Sequence, residues 1–238
     1  MATHRVFVES LDASPLIVTG DEAHHAIRVK RLETGDPIAC FDGRGTLVQG
    51  RVANTAKLPR TGEWSLQIEV TSRHIAPRPS PHIECWTALP KGGRATEMVE
   101  GLSEVGAAFW APLHTARSIV EPGDHKLAKL QRAAVEAGKQ CGRPWLLDIG
   151  EGGDLPAATQ NVPSGGVVLV ADGSGDSLPE RIPPWVRILI GPEGGWSDEE
   201  MAWFTAQGLS KVRFGPHIMR LETAAVAAAA IVISRQMT

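Results

Sequence analysis

The sequence has little of what marks a secreted, metal-bound or membrane-spanning chain. Its 238 residues include three cysteines, Cys40, Cys85 and Cys141, set far apart. None has a second Cys or His at zinc-ligand spacing, so neither a disulfide framework nor a metal knuckle is indicated and reduced thiols are expected. No apolar stretch reaches the roughly 18 residues of a membrane span. The longest, Ala224 to Ile233, is about half that length, and Met1 to Ser10 alternate charged and apolar groups without the apolar block of a signal peptide. The expectation is a soluble, cytoplasmic chain with no membrane and no metal among its partners.

The common nucleotide and hydrolase loops are missing as well. Gly173-Ser174-Gly175 supplies only the first two glycines of the dinucleotide fingerprint, no G-x-x-x-x-G-K-[ST] loop occurs, and no G-x-S-x-G elbow marks a nucleophilic serine. His24 and His25 are adjacent rather than one helical turn apart, which suits a surface or domain-interface position better than a metal site. Net positive charge is absent too: the formal charge is -3, which argues against broad phosphate binding. The deficit is uneven, with ten Lys/Arg against nine Asp/Glu up to Pro79 and fourteen against eighteen from Ser80 onward. A basic cluster, Arg28, Lys30 and Arg31, stands in the first part, either as a solvated face or as a phosphate contact.

What is present divides into two rhythms. From Arg5 to about Ser72, short runs rich in β-formers are broken by turn residues: Val6 to Val8, Ile38 to Phe41 before Asp42-Gly43, Leu47 to Val52, and Leu66 to Val70. This predicts a small β-barrel over residues 1–74. Residues 75–81 then carry Pro77, Pro79 and Pro81 at alternate positions, which favours extended backbone and predicts a linker. Over residues 82–238, strand-like and helical runs alternate, as a mostly parallel sheet with crossover helices requires. Strands are expected at Ile83 to Leu89, Val167 to Ala171, Val186 to Ile190 and Lys211 to Phe214, and helices at Thr96 to Gly106 and Lys126 to Gly138. The last three strands each lead into a glycine-bearing turn. Ligands of open α/β sheets bind beyond the carboxyl ends of strands, so one shared pocket is expected.

Two stretches carry the chemistry. Gly191-Pro192-Glu193-Gly194-Gly195 follows a buried strand and precedes Ser197-x-x-Glu200, a capping box that starts a helix. Its glycines let backbone N–H and C=O groups approach a ligand. Phe214-Gly215-Pro216-His217-Ile218-Met219-Arg220-Leu221-Glu222-Thr223-Ala224 then leads into an alanine-rich helix. Arg220 and Glu222, at the mouth of that helix, either form a structural salt bridge or face the pocket and work on substrate.

The pairing of I-G-P-E-G-G with G-P-H-I-M-R-L-E-T-A resembles the signature of the knotted, SPOUT-type methyltransferases, and within them the 16S rRNA uridine-N3 methyltransferase family. Arg5 to Val8, His24 to Arg31, Phe41 to Gly43, Leu89 to Gly92, Ser103 to Gly106, Arg117-Ser118 and Glu136 to Arg143 follow the same order, so the resemblance covers nearly the whole chain. The chain departs from the family pattern at Gly101 for a usual Lys, at Ala116 for a Glu, and at Leu221 for a Thr.

The resemblance implies an α/β domain threaded into a trefoil knot, an N-terminal PUA-like β-barrel that binds RNA, and a homodimer. It implies S-adenosyl-L-methionine as cofactor, bound by Ala171, Ile190, Gly191, Pro192, Glu193, Gly194, Phe214, Gly215, Ile218, Met219 and Arg220. Arg220 and Glu222 are the expected catalytic residues, Arg5, Arg28, Lys30 and Arg31 the expected RNA contacts, and small-subunit rRNA the expected partner. Two alternatives stand beside this: a knotted RNA-binding dimer without catalysis, and a methyltransferase acting on a different RNA nucleotide.

Overall fold

The computed structural model of the chain describes residues 3–119 and 123–235, which divide into two compact units. The first takes the residues up to Arg78 together with Gly138–Leu146, and the second takes the remainder. No helix among the described residues is long and apolar enough to cross a membrane.

In the first unit five strands form one sheet in the order β1-β3-β4-β5-β2. β1 (His4–Phe7) lies parallel to β3 (Pro37–Phe41), whereas β4 (Thr46–Lys57), β5 (Trp64–Ile75) and β2 (Leu16–Thr19) follow in antiparallel pairing. Period-two alternation puts Val48 and Val52 of β4 and Leu66 and Ile68 of β5 on one buried face, where they meet Val6, Leu16, Val18 and Ile38. Two register shifts, between Gln49 and Gly50 and between Val52 and Asn54, let the long β4–β5 hairpin bend around that core. A short helix, α1 (Gly20–His24), continues into a π-turn over His25–Val29 and covers the core with Ala23 and Ala26. Residues 138–146 join this unit through Trp145, whose indole N–H donates to the carbonyls of Ala76 (3.2 Å) and Pro77 (3.0 Å).

The second unit is a three-layer α/β structure. Its sheet runs β11-β9-β10-β6-β7-β8 and every pairing is parallel. β6 (His82–Thr87), β10 (Trp185–Ile190) and β9 (Val167–Asp176) form the centre. β7 (Phe109–Pro112) and β8 (Asp148–Ile149) extend one side, and β11 (Ser210–Val212) closes the other. Alternate residues of the central strands serve different layers. Ile83, Cys85, Val186, Ile188 and Ile190 pack under α2 (Arg94–Val105), α3 (Asp124–Cys141) and α6 (Leu221–Ser234). Trp86, Val168, Val170 and Leu189 face α4 (Leu155–Ala158) and α5 (Asp198–Ala206). Burial pushes the Cys40 and Cys85 thiols up to about 12, with Glu22 and Glu84 adding to it, so both are neutral packing groups.

β9 runs further than its glycines suggest. It continues through Gly173 and Gly175 to Asp176, which pairs with Val212 across a register shift in β11. A Cβ on Gly175 would lie 2.6 Å from the Lys211–Val212 backbone, so the absence of a side chain is what lets the edge strand come this close. β11 in turn stops at Val212, two residues before the strand end expected from the sequence. From that edge the chain returns past the carboxyl ends of β9 and β10, and α6 then packs against α2, β6 and β10 on the other side.

Candidate active site

Three backbone segments wall a cavity of about 600 Å³ over the carboxyl ends of the central strands, within the roughly 300–1,000 Å³ of small-molecule sites. The first is Ala171–Ser174, held by the Asp172 carboxylate, which accepts the backbone N–H of Ser174 at 2.8 Å. The second is Ile190–Trp196, and the third runs from Arg213 into the start of α6.

The first two segments are tied by one side chain. Trp196 donates its indole N–H to the carbonyl of Ala171 at 3.1 Å, and its ring lies under Gly191, where a Cβ would come within 3.0 Å. Trp196 is itself fixed edge-on against Phe204 of α5, at 4.8 Å between ring centres. The capping box expected at the start of α5 is complete: Glu200 N–H donates to Ser197 Oγ at 3.2 Å, and Ser197 N–H donates to Glu200 Oε2 at 2.7 Å. The other oxygen of Glu200 accepts the Ala116 N–H at 2.8 Å, and Arg117 donates to the Gly194 carbonyl at 2.7 Å. The loop after β7 therefore braces the glycine loop. Glu199, exposed in the same first turn, is held below the usual carboxylate range by its own backbone N–H and then by the Ser197 hydroxyl.

Ala171, Ile190, Gly191, Pro192, Glu193, Gly194, Phe214, Gly215, Ile218 and Met219 all line this one cavity. Arg220 does not. It is the N-cap residue of α6, exposed, and its guanidinium makes no hydrogen bond or ion pair among the described residues. Glu222, in the first turn of α6, lines a shallow apolar groove between α2 and α6, with its side chain 13% exposed. Arg220 and Glu222 are not paired with each other. Glu222 pairs instead with Arg94 at 3.5 Å, and the same Arg94 nitrogen lies 3.5 Å from Glu193 in the glycine loop.

In the first unit, Arg28 is exposed with its guanidinium 5.7 Å from the Trp64 ring, and Lys30 and Arg31 are exposed beside it. Arg31 takes a left-handed conformation at φ 57°. Arg5 is half-buried, its guanidinium 5.3 Å from the Phe41 ring, and burial lowers its pKa against the opposing influence of Cys141. His25 stacks on His4 at 5.8 Å, a packing role.

Local reading missed Asp172, Trp196, Arg213 and His217 on the cavity wall and Arg94 beside it. Trp196 could have been found, since an indole directly after paired glycines offers one donor and a flat face. Arg94 carried no local signal.

The cavity joins exposed backbone donors and acceptors to an apolar side made by Phe214, Ile218 and Met219. Such a wall fits a ligand with a hydrogen-bonding flat base and a partly apolar tail. Fold and site together define a parallel-sheet α/β protein with a ligand-sized cavity above the carboxyl ends of its central strands.

Comparison with known proteins narrows this class. Residues 77–233 match the family model described as an RNA methyltransferase domain, and residues 18–57 match that of an RNA methyltransferase PUA domain. The chain belongs to this RNA methyltransferase family. It is 30% identical over 230 residues to ribosomal RNA small subunit methyltransferase E of Synechocystis sp., covering 93% of this chain and 74% of that one. It is 28% identical over 231 residues to the Bacillus subtilis protein of the same name, covering 90% and 87%. A crystal structure of the Neisseria gonorrhoeae ribosomal RNA small subunit methyltransferase E, bound to S-adenosyl methionine, superposes with a TM-score of 0.84 at 23% identity over 98% of each chain.

Proposed function

We propose that this protein methylates N3 of a specific uridine in small-subunit (16S) ribosomal RNA, using S-adenosyl-L-methionine. The observation that carries the reading is the single cavity walled by the glycine-bearing ends of β9 and β10 and by the segment before α6. The names of the similar Synechocystis and Bacillus proteins support the RNA class.

The backbone of Ile190 to Gly194 and of Phe214 to Met219 would hold the adenosyl and methionine parts, with the carboxylate of Asp172, which accepts the Ser174 N–H and hydroxyl, at the rim. When bound, the cofactor supplies a methyl on a positively charged sulfur, which keeps the bonding electron pair as the nitrogen takes the carbon. The chain's own task is to make N3 nucleophilic, because that nitrogen carries a proton at neutral pH. Glu222 accepts the proton, and Arg220 stabilises the negative charge that spreads to the uracil oxygens. Support comes from the free, exposed guanidinium of Arg220, next to Met219 on the wall, and from the buried, unpartnered Oε2 of Glu222.

The same reading takes residues 1–74 as the RNA-binding domain, with Arg5, Arg28, Lys30 and Arg31 as contacts, 75–81 as a linker and 82–238 as the catalytic domain. It takes the working form as a cytoplasmic homodimer, supported by the apolar groove of Met98, Gly101, Val226, Ala227 and Ala230.

The test is nucleoside mass mapping of small-subunit rRNA from cells with and without the protein. Loss of one N3-methyluridine on deletion, restored by the wild-type chain but not by Arg220→Ala, is the expected outcome. Unchanged N3-methyluridine on deletion would remove the reading.

A further inference from the structure

Arg94 occupies a position that its own helix disfavours. It is the first residue of α2, where the unsatisfied N–H groups already present positive charge and a cation is the wrong sign. Gly93 before it offers no side-chain cap. The side chain turns instead toward two acids from distant parts of the chain: Glu193 in the loop after β10 and Glu222 at the mouth of α6, each 3.5 Å from the same terminal nitrogen. Its Nε donates to the Lys91 carbonyl at 3.3 Å, which fixes the direction of the fork.

The three exposures differ in a telling way. Glu193 is 47% exposed and Arg94 32%, but Glu222 only 13%. A half-exposed ion pair contributes little to stability, so the Glu193 contact is better understood as steering than as bracing. Glu222 is different, because a largely buried carboxylate needs a counter-charge. Arg94 is the only cation within ion-pair distance of it among the described residues. The contact engages Oε1 alone and leaves Oε2 buried and without a hydrogen-bond partner.

We infer that Arg94 is a positioning residue of the methyl-transfer site: it anchors Glu222 through one oxygen and couples that carboxylate to the glycine loop through Glu193. This rests on the proposed role of Glu222 as proton acceptor. Arg94 is not among the residues that line the cavity. It bridges Glu193, which lines the cavity, and Glu222, which lines the α2–α6 groove.

The test is a double-substitution cycle on the full-length protein with Arg94→Ala, Arg94→Lys, Glu222→Gln and Arg94→Ala/Glu222→Gln. Methyl transfer to small-subunit rRNA is measured with kcat and cofactor KM separated. Arg94→Ala lowers kcat about 30-fold, the scale of a mispositioned catalytic group, with cofactor KM changed less than about threefold. Arg94→Lys, which keeps the charge, recovers most of the rate. In the Glu222→Gln background Arg94→Ala has no further effect on kcat. Independent multiplicative losses, or a lysine variant as slow as the alanine one, would overturn the assignment.

A second cycle, in urea unfolding, needs no activity. The two single substitutions shift the midpoint by more in sum than the double one does, and strict additivity would also overturn the pair. Wild-type protein that makes no N3-methyluridine would sink the proposed function, and the unfolding cycle would still decide whether Arg94 and Glu222 are coupled.

Discussion

The indole N–H of Trp196 reaches the carbonyl of Ala171 at 3.1 Å, so the residue after one glycine loop is tied to the middle of the neighbouring strand. Trp196 is 7% exposed and fills the space beneath Gly191. Its hydrogen bond thus sets the distance between two of the three cavity walls. Trp196→Phe keeps the flat ring and removes the donor. It is expected to reduce stability by about 1–2 kcal/mol, one lost neutral hydrogen bond plus a small void. Cofactor affinity should fall about fivefold or more, the equivalent of 1 kcal/mol at the site. Calorimetric titration with S-adenosyl-L-methionine checks this, and equal affinity would show that the wall spacing does not depend on the indole.

Gly101 sits in α2 where a Cβ would lie 2.8 Å from a methyl of Val226 in α6. Two effects of Gly101→Ala oppose each other. Helix propensity favours alanine by about 1 kcal/mol, whereas overpacking costs about 1–3 kcal/mol. Val226 is β-branched and stiff in a helix, so it cannot rotate away easily. Overpacking is expected to win, with a net loss near 1 kcal/mol in urea unfolding. Adding Val226→Ala should convert the loss into a gain, and a single substitution that already stabilises would show that α6 shifts freely.

Much of this arrangement was legible because it is local. The run Val186 to Ile190, the glycine loop and the Ser197–Glu200 box are contiguous, and each obeys a short-range rule that the structure fulfils. The β9 strand was underestimated for the opposite reason. Asp172-Gly173-Ser174-Gly175 has the composition of a turn, and what keeps it extended is the edge pairing of Asp176 with Val212, brought in from a later segment. The same holds for Glu222. Its neighbour in sequence, Arg220, suggested a pair, but the partner that reaches it is Arg94, and nothing around Arg94 announces this. Residues 138–146 return to the first unit by way of Trp145, again through contacts that no local pattern encodes.

Glu200 holds two backbone N–H groups at once, those of Ser197 and Ala116, and is 8% exposed. Removing a carboxylate that accepts two such bonds leaves both donors unsatisfied, at about 1.5–3 kcal/mol for each charged hydrogen bond before relaxation. Glu200→Ala is therefore expected to destabilise by about 2–4 kcal/mol. Hydrogen exchange at Ala116 should speed up more than at residues of β10, and uniform acceleration across the domain would point to global unfolding rather than release of the brace.

On the face of the sheet that packs against α4, Arg187, 6% exposed in the middle of β10, meets Glu84 of β6. Its Nε donates to Glu84 Oε2 at 2.8 Å, Nη2 lies 2.7 Å from the same oxygen as an ion pair, and Nη1 donates to the carbonyls of Ala158 and Gln160. Burial alone would raise the Glu84 carboxyl. The hydrogen bond from His82 at 3.2 Å and the Arg187 charge outweigh it, so the folded carboxyl sits below its usual range. A depressed folded value means that the group contributes its full stability above the unfolded value of about 4.3 and loses it as pH falls through the folded value. Unfolding midpoints from pH 7 to pH 3 should therefore drop in the wild type and drop less steeply in Glu84→Gln. Arg187→Met is expected to cost about 3–5 kcal/mol at neutral pH, because it leaves a buried carboxylate without its cation. Arg187→Met/Glu84→Leu removes both charges and should recover most of that loss. If the double substitution is as unstable as the single one, the pair is needed for shape and for its bonds to α4, not for charge balance.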